Sequence, residues 1–123
     1  MDLKNRVALV TGASGDIGGA IARCLAENGA QVILTYVGAA ETAAKLETEI
    51  GQAGGNAWAV QLDQRDPEAI EAVMAQVEEK YARLDILVNN AAWNIGIPFP
   101  NLDDLTADIW DRILETNLRA PFL

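Results

Sequence analysis

Four short apolar runs, each followed by a segment of helical periodicity, constrain this chain more than any other feature. They are Val7-Ala8-Leu9-Val10, Val32-Ile33-Leu34-Thr35-Tyr36, Ala57-Trp58-Ala59-Val60-Gln61-Leu62 and Ile86-Leu87-Val88. None offers a regular polar face to water, so they read as strands of a parallel sheet covered by helices on both sides. The segments between them supply the helices. One runs from about Asp16 to Asn28 and ends at Gly29, a residue suited to the left-handed position after a helix. A second runs from about Ala40 to Gln52 and stops before the Gly54-Gly55 break. A third has Asp66 as N-cap, Pro67 at the first helical position and Glu68 in the first turn, with Ile70, Val73, Met74, Val77 and Tyr81 at helical spacing. Beyond the fourth strand come Asn89-Asn90-Ala91-Ala92 and a loop from Trp93 to Asp104. A helix from Thr106 then carries Trp110, Ile113, Leu114, Asn117 and Leu118. The expected fold class is α/β, a Rossmann-type doubly wound parallel sheet. Right-handed crossovers give strand order 3-2-1-4, with the switch point between strands one and four.

Half of the 123 residues are hydrophobic, enough to bury a core. The formal charge is -9, and no basic cluster stands out, so nucleic acid is not an expected partner. The chain has no His and one Cys, which excludes a histidine base and removes the usual zinc ligands; no metal site is expected. Cys24 falls on the apolar stripe Ile17, Ile21, Cys24, Leu25 and is expected to be a small buried hydrophobe. Without a signal core or a span-length apolar segment, no membrane association is expected and a reducing cytoplasm is the default.

Between the first strand and first helix lies Thr11-Gly-Ala-Ser-Gly-Asp-Ile-Gly18. A glycine-rich turn here bends sharply, lets a diphosphate approach the backbone, and aims free helix N–H groups at its charge. Glycines also occur in ordinary turns, and the spacing is not G-x-G-x-x-G. Other pieces follow in order: Asp63 after the third strand, Asp85 to Ala91 (Asp-Ile-Leu-Val-Asn-Asn-Ala) through the fourth, and Asn117 in the next helix.

Together these residues resemble the short-chain dehydrogenase/reductase family, nearest in pattern to 3-oxoacyl-carrier-protein reductases and sugar dehydrogenases. The resemblance runs along the whole chain and covers the family's amino-terminal half. It implies that residues 1–123 are an incomplete dinucleotide-binding domain lacking the carboxy-terminal catalytic half. Carried over by position, Gly12, Ser14, Ile17 and Gly18 line the pyrophosphate, with Gly15 and Asp16 in the same turn. Asp63 accepts from the adenine amino group, and Gln64 and Tyr36 join the cofactor set. Asn90, Ala91 and Ala92 pass beside the ribose and nicotinamide, while Asn89 is structural. Asn117 is the catalytic residue present, helping to hold a water that relays protons. Two alternatives stay open: Asp63 only opens the turn before Asp66, and Asn117 only caps or pins backbone.

Two positions depart from the family pattern. Asp16 stands where a glycine is usual and is read as an N-cap turned away from the phosphates. Ala92 replaces a glycine, with bulky Trp93 next to it, narrowing the room beside the nicotinamide. The second strand ends in Thr35-Tyr36-Val37-Gly38 with no acid to bind the ribose hydroxyls of NAD, so the reading leans to NADP over NAD, although no Arg or Lys sits there.

The family's Tyr-x-x-x-Lys is missing: neither Tyr36 nor Tyr81 has a Lys four residues on. The 123 residues alone are expected to be inactive, their end inside a helix favours a truncated reductase, and the fourth strand is expected to be a bare apolar edge inviting association. The leading function is an NAD(P)-dependent oxidoreductase moving a hydride between the nicotinamide and a small-molecule carbonyl or alcohol substrate, assembled as a homo-oligomer. The alternative is a non-catalytic dinucleotide-binding module, a sensor or scaffold. Sugar-nucleotide epimerases and methyltransferases are not expected to combine this turn with Asp63, Asn89-Asn90-Ala91 and Asn117.

Overall fold

The four apolar runs pair into one parallel sheet in a computed structural model that describes all residues 1–123. The strands are β1 (Val7–Val10), β2 (Gln31–Tyr36), β3 (Asn56–Gln61) and β4 (Ile86–Val88), in the order β3-β2-β1-β4 expected from right-handed crossovers. Leu9 lies opposite Ile33 on one side and Leu87 on the other, and Ile33 lies opposite Trp58. Alternate side chains leave the sheet on opposite faces, so β1 feeds two cores. Ala8 and Val10 join Val32, Leu34, Ala22, Ala26, Leu46 and Ile50 on one face; Val7 and Leu9 join Ile33, Leu62, Val73 and Val77 on the other. Each fully buried Val, Leu or Ile contributes about 1.5–3 kcal/mol of transfer free energy.

The first core is built by α1 (Asp16–Glu27) and α2 (Ala40–Gln52), the second by α3 (Pro67–Tyr81). The Asp66 carboxylate caps α3 by accepting from the Glu68 N–H at 3.0 Å, with Pro67 at the first helical position where its missing N–H costs nothing. Gly29, just past α1, has φ +98°, the left-handed turn expected of it.

In α1 half of the expected apolar stripe packs as expected, Ile21 and Leu25 lying partly buried against the first core; the other half does not. Cys24 is exposed and Ile17 is 70% exposed. The buried positions are Gly18, Gly19, Ala22 and Ala26, so the helix turns its smallest residues to the sheet. A Cβ on Gly18 would lie 2.3 Å from the Gly12 carbonyl oxygen, an approach that larger side chains on that face would prevent. Asp16 also departs from expectation: the N-cap is Gly15, and Asp16 is the first helical residue with its side chain exposed. The Gly15 N–H bonds the Gly12 carbonyl at 3.2 Å, tightening the turn so that the first helical bond runs from Gly19 N–H to the Gly15 carbonyl.

Thr106, the expected first residue of the next helix, is instead its N-cap: it stands before α4 (Ala107–Leu114) and accepts from Ile109 N–H at 3.3 Å. The helix does not continue regularly to Leu118. Residues Glu115–Arg119 form a π-helical turn before α5 (Ala120–Phe122). The Ala120 N–H reaches back to the Glu115 carbonyl, so the Thr116 carbonyl loses its usual donor. Pro121 has no N–H, so the Asn117 carbonyl lacks an α-helical donor as well. No helix is long and apolar enough to cross a membrane, and no cluster of three His, Cys, Asp or Glu side chains is placed to hold a metal.

Candidate functional site

Because β1 and β4 are neighbours, the glycine turn after one meets the Asn-Asn-Ala segment after the other. Thr11 joins them. Its Oγ1 accepts from the N–H groups of Asn90 (3.1 Å) and Ala91 (3.0 Å) and donates to the Val88 carbonyl at 3.4 Å, filling the capacity of one hydroxyl. Asn90 answers through its side chain: Nδ2 donates to the carbonyls of Thr11 (3.0 Å) and Gly12 (3.3 Å). Thr11 is 6% exposed, so these bonds are shielded from water.

The turn needs its glycines for identifiable reasons. Gly12 adopts φ +66°, and a Cβ there would meet the Ala91 Cα at 2.9 Å; on Gly18 it would also meet Asn90 Nδ2 at 2.7 Å. Backbone donors remain at this turn. The N–H groups of Ser14, Asp16, Ile17 and Gly18 have no acceptor within the protein, while Ala13 N–H is taken by the Thr35 carbonyl at 3.0 Å. Free N–H groups around a backbone stripped of Cβ atoms, at the positive end of a 12-residue helix, fit a diphosphate. A groove of about 230 Å³ continues from the turn between α1 and α2, lined by Ser14, Gly15, Asp16, Thr42 and Lys45 among others.

A second cluster gathers at the ends of β3 and β4. Arg65 grips Asp63 from both sides, Nε to Oδ1 at 3.1 Å and an Nη to Oδ2 at 2.8 Å, and the Arg65 backbone N–H adds a bond to Oδ1 at 3.0 Å. The guanidinium of Arg65 therefore holds the Asp63 carboxyl below the usual carboxylate range against the opposing effect of partial burial, with a smaller contribution from Arg112. Gln64 is buried, and its Nε2 donates to the Thr116 carbonyl at 2.9 Å, supplying the donor that the π turn removed, with a longer contact of 3.5 Å to the Ala91 carbonyl. Asn117 is exposed and closes on Trp93: Oδ1 accepts from Trp93 N–H at 2.8 Å and Nδ2 donates to its carbonyl at 2.9 Å. The Trp93 ring lies under the Arg112 guanidinium, 3.9 Å from ring centroid to Cζ. Tyr36 ends β2 half-buried, Ser14 and Ala91 are half-buried, and Ala92 is exposed.

The fold thus unites Gly12, Gly18, Asn90 and Ala91 in one clasp, places Gln64 under Ala91 and Thr116, and sets Asn117 against Trp93 rather than against the turn. Sequence reading passed over Thr11, Arg65, Arg112 and Lys45. The Asp63-x-Arg65 spacing is a local pattern that could have flagged Arg65. The places of Arg112 and Lys45 follow only from helix docking.

The sequence model of the short chain dehydrogenase family matches residues 6–123. The chain is similar to versicolorin reductase of Emericella nidulans, 39% identical over 120 residues that are 98% of this chain and 44% of the relative. It is similar to the 3-oxoacyl-[acyl-carrier-protein] reductase of Vibrio cholerae, 42% identical over 123 residues, 99% of this chain and 47% of that one. A short chain dehydrogenase from Burkholderia cenocepacia solved in complex with NADP superposes with a TM-score of 0.90 at 42% identity, covering 99% of this chain and 49% of that structure. The chain therefore spans about half the length of the relatives it matches. With its sequence matched along almost its whole length and its sheet order and glycine clasp in place, the chain belongs to the short-chain dehydrogenase/reductase family.

Proposed function

We propose that this chain supplies the cofactor-binding half of an NAD(P)-dependent oxidoreductase acting on a small carbonyl or alcohol substrate. The observation that carries the reading is the turn itself: Gly12 and Gly18 leave no room for a Cβ, and the N–H groups of Ser14, Asp16, Ile17 and Gly18 have no acceptor in the protein. The chemistry supplied by a bound nicotinamide is hydride transfer. The N–H groups of the turn hold the diphosphate, and Ile17, 70% exposed beside them, offers an apolar surface to the cofactor. Asp63 has both oxygens on Arg65, yet Oδ2 takes one of those bonds and keeps a lone pair for the adenine amino group. Asn90, Ala91 and Ala92 form the wall beside the ribose and nicotinamide. Because the Asn117 side chain is committed to Trp93, the group left to hold a proton-relaying water is the Asn117 backbone carbonyl, freed by Pro121. The exposed apolar residues Trp110, Leu118 and Phe122 belong to the same reading as surfaces of a homo-oligomer.

The test is titration of the product of the complete reading frame with NADPH and NADH, followed by turnover with carbonyl substrates. Saturable binding with turnover is expected. A folded protein that binds neither nucleotide overturns the reading. Binding without any turnover favours a sensor or scaffold that kept the turn and not the chemistry.

A further inference from the structure

The end of β2 carries Thr35-Tyr36-Val37-Gly38, with no carboxylate to accept from ribose hydroxyls and no cation to meet a phosphate. The groove beside the glycine turn supplies what the strand lacks. Lys45 comes into it from the second turn of α2, far from Ser14 and Gly15 in sequence but lining the same 230 Å³. Opposite it, Gly15 contributes backbone only, so no side chain of that residue fills the space.

The charges facing this groove are Arg23, Lys45, Asp16 and Glu49. Arg23 and Glu49 neutralise each other in an ion pair of 2.9 Å. Lys45 has no carboxylate within 4.0 Å of its amine, and Asp16 likewise has no cationic partner. A free ammonium therefore shares the groove with Thr42, Ser14 and Gly15. An uncommitted cation complements a phosphate monoester rather than a pair of hydroxyls, which would call for an acceptor.

Resting on the dinucleotide reading above, we infer that Lys45 is the cation that meets the 2′-phosphate of NADP and sets the preference for NADP over NAD. Lys45 is exposed on a helix and its side chain makes no ion pair with the rest of the protein, so replacing it does not threaten the fold. Asp16 is the opposing charge in the same groove and limits how strong that preference becomes.

The experiment measures dissociation constants of NADPH, NADH, 2′,5′-ADP and 5′-AMP for the product of the complete reading frame and for Lys45→Ala, Lys45→Glu and Lys45→Arg. The parent is expected to bind NADPH over NADH and 2′,5′-ADP over 5′-AMP. Lys45→Ala is expected to weaken NADPH and 2′,5′-ADP by about tenfold while leaving NADH and 5′-AMP unchanged. Lys45→Glu weakens them further, and Lys45→Arg retains the preference. A parent that binds NADH as tightly as NADPH overturns the inference and leaves the dinucleotide site standing, as does a Lys45→Ala variant with the parent's NADPH-to-NADH ratio. A folded parent that binds none of the four ligands removes the dinucleotide site and the inference together.

Discussion

Asn117 holds the backbone of Trp93 at both polar groups, accepting from its N–H at 2.8 Å and donating to its carbonyl at 2.9 Å. Arg112, one and a half turns earlier on the same helical segment, stacks on the Trp93 ring. One stretch of chain therefore pins both the main chain and the side chain of the loop after β4. Replacing Asn117 with Ala removes both backbone bonds and is expected to cost about 1–2 kcal/mol. Asn117→Asp keeps an acceptor for the N–H but loses the donor, and sets a carboxylate against the Trp93 carbonyl, so it is not a rescue. Urea denaturation of the parent and both variants checks this. A fully stable Asn117→Ala protein would show that the loop is held by other contacts.

Gly18 and Gly38 make a controlled pair. A Cβ on Gly18 meets the Gly12 carbonyl oxygen at 2.3 Å and Asn90 Nδ2 at 2.7 Å, both part of the clasp, whereas nothing lies within 4 Å of a Cβ on Gly38. Gly18→Ala must push α1 away from β4 or break the Asn90 bonds, with an expected cost of roughly 2–4 kcal/mol and loss of nucleotide binding. Gly38→Ala is expected to stay within about 0.5 kcal/mol of the parent. Thermal melts with and without NADPH separate the two outcomes, and a Gly18→Ala protein that binds nucleotide normally would contradict the clearance argument.

Thr11 offers a sharper test, because its hydroxyl accepts from two backbone N–H groups, that of Ala91 and that of Asn90, the latter shared with the Val88 carbonyl at 3.0 Å. Thr11→Val keeps the shape but leaves the Ala91 N–H without its acceptor in a shielded site, while the Asn90 N–H keeps the Val88 carbonyl; the expected cost is about 1–3 kcal/mol. Thr11→Ser restores the oxygen and is expected to recover most of the loss. Equal destabilisation by Val and Ser would mean that the methyl group matters and the hydroxyl does not.

The exposed apolar surface predicts self-association of the 123-residue chain on its own. Leu87 on the edge strand is 52% exposed, and Trp110, Leu118 and Phe122 are 57%, 68% and 87% exposed. Sedimentation velocity across a concentration series is expected to show species larger than a monomer. A single monomeric boundary at all concentrations would show that these residues do not drive association.

The sheet was legible in the sequence because continuous apolar runs with one or two sensible crossovers allow few topologies; β1, β4 and α2 fall where the residues place them. The Asp66 cap was legible for a local reason, since its side chain bonds within its own first turn. The face of α1 was read in part: Ile21 and Leu25 do pack on the core, but periodicity ranks Ile17 and Cys24 above Gly18, Ala22 and Ala26, while close helix–sheet approach selects the small residues. Asp16 was misread by one position because the extra turn bond from Gly15 to Gly12 leaves no local signature. The π turn was hidden for a different reason. Its cause is the combination of Pro121, which lacks a donor, with Gln64, which replaces one from 52 residues away. The places of Lys45 and Arg112 depend on how whole helices dock, which no window of sequence encodes.

Asp85 closes one end of the β1–β4 ladder and carries a pH signature. Its N–H donates to the Val7 carbonyl at 2.9 Å, and its Oδ2 accepts from the Val7 N–H at 2.9 Å, so the residue extends the β1–β4 pairing by one step. The Arg83 guanidinium first, then the Val7 N–H, hold the carboxyl well below the ordinary range, and Arg6 adds a weaker contact at 3.4 Å. A carboxyl whose folded pKa is depressed stabilises the fold above its unfolded value, about 3.9, and loses that contribution as pH falls toward the folded value. Between about pH 5 and pH 2 the parent is therefore expected to lose stability in part through Asp85. Asp85→Asn can retain an oxygen acceptor for Val7 but cannot titrate, so its stability is expected to be lower than the parent's at pH 7 and to fall less steeply through the acid range. Urea midpoints measured at several pH values give both slopes. Parallel slopes for parent and Asp85→Asn would mean that the acid sensitivity of the fold arises at other carboxylates.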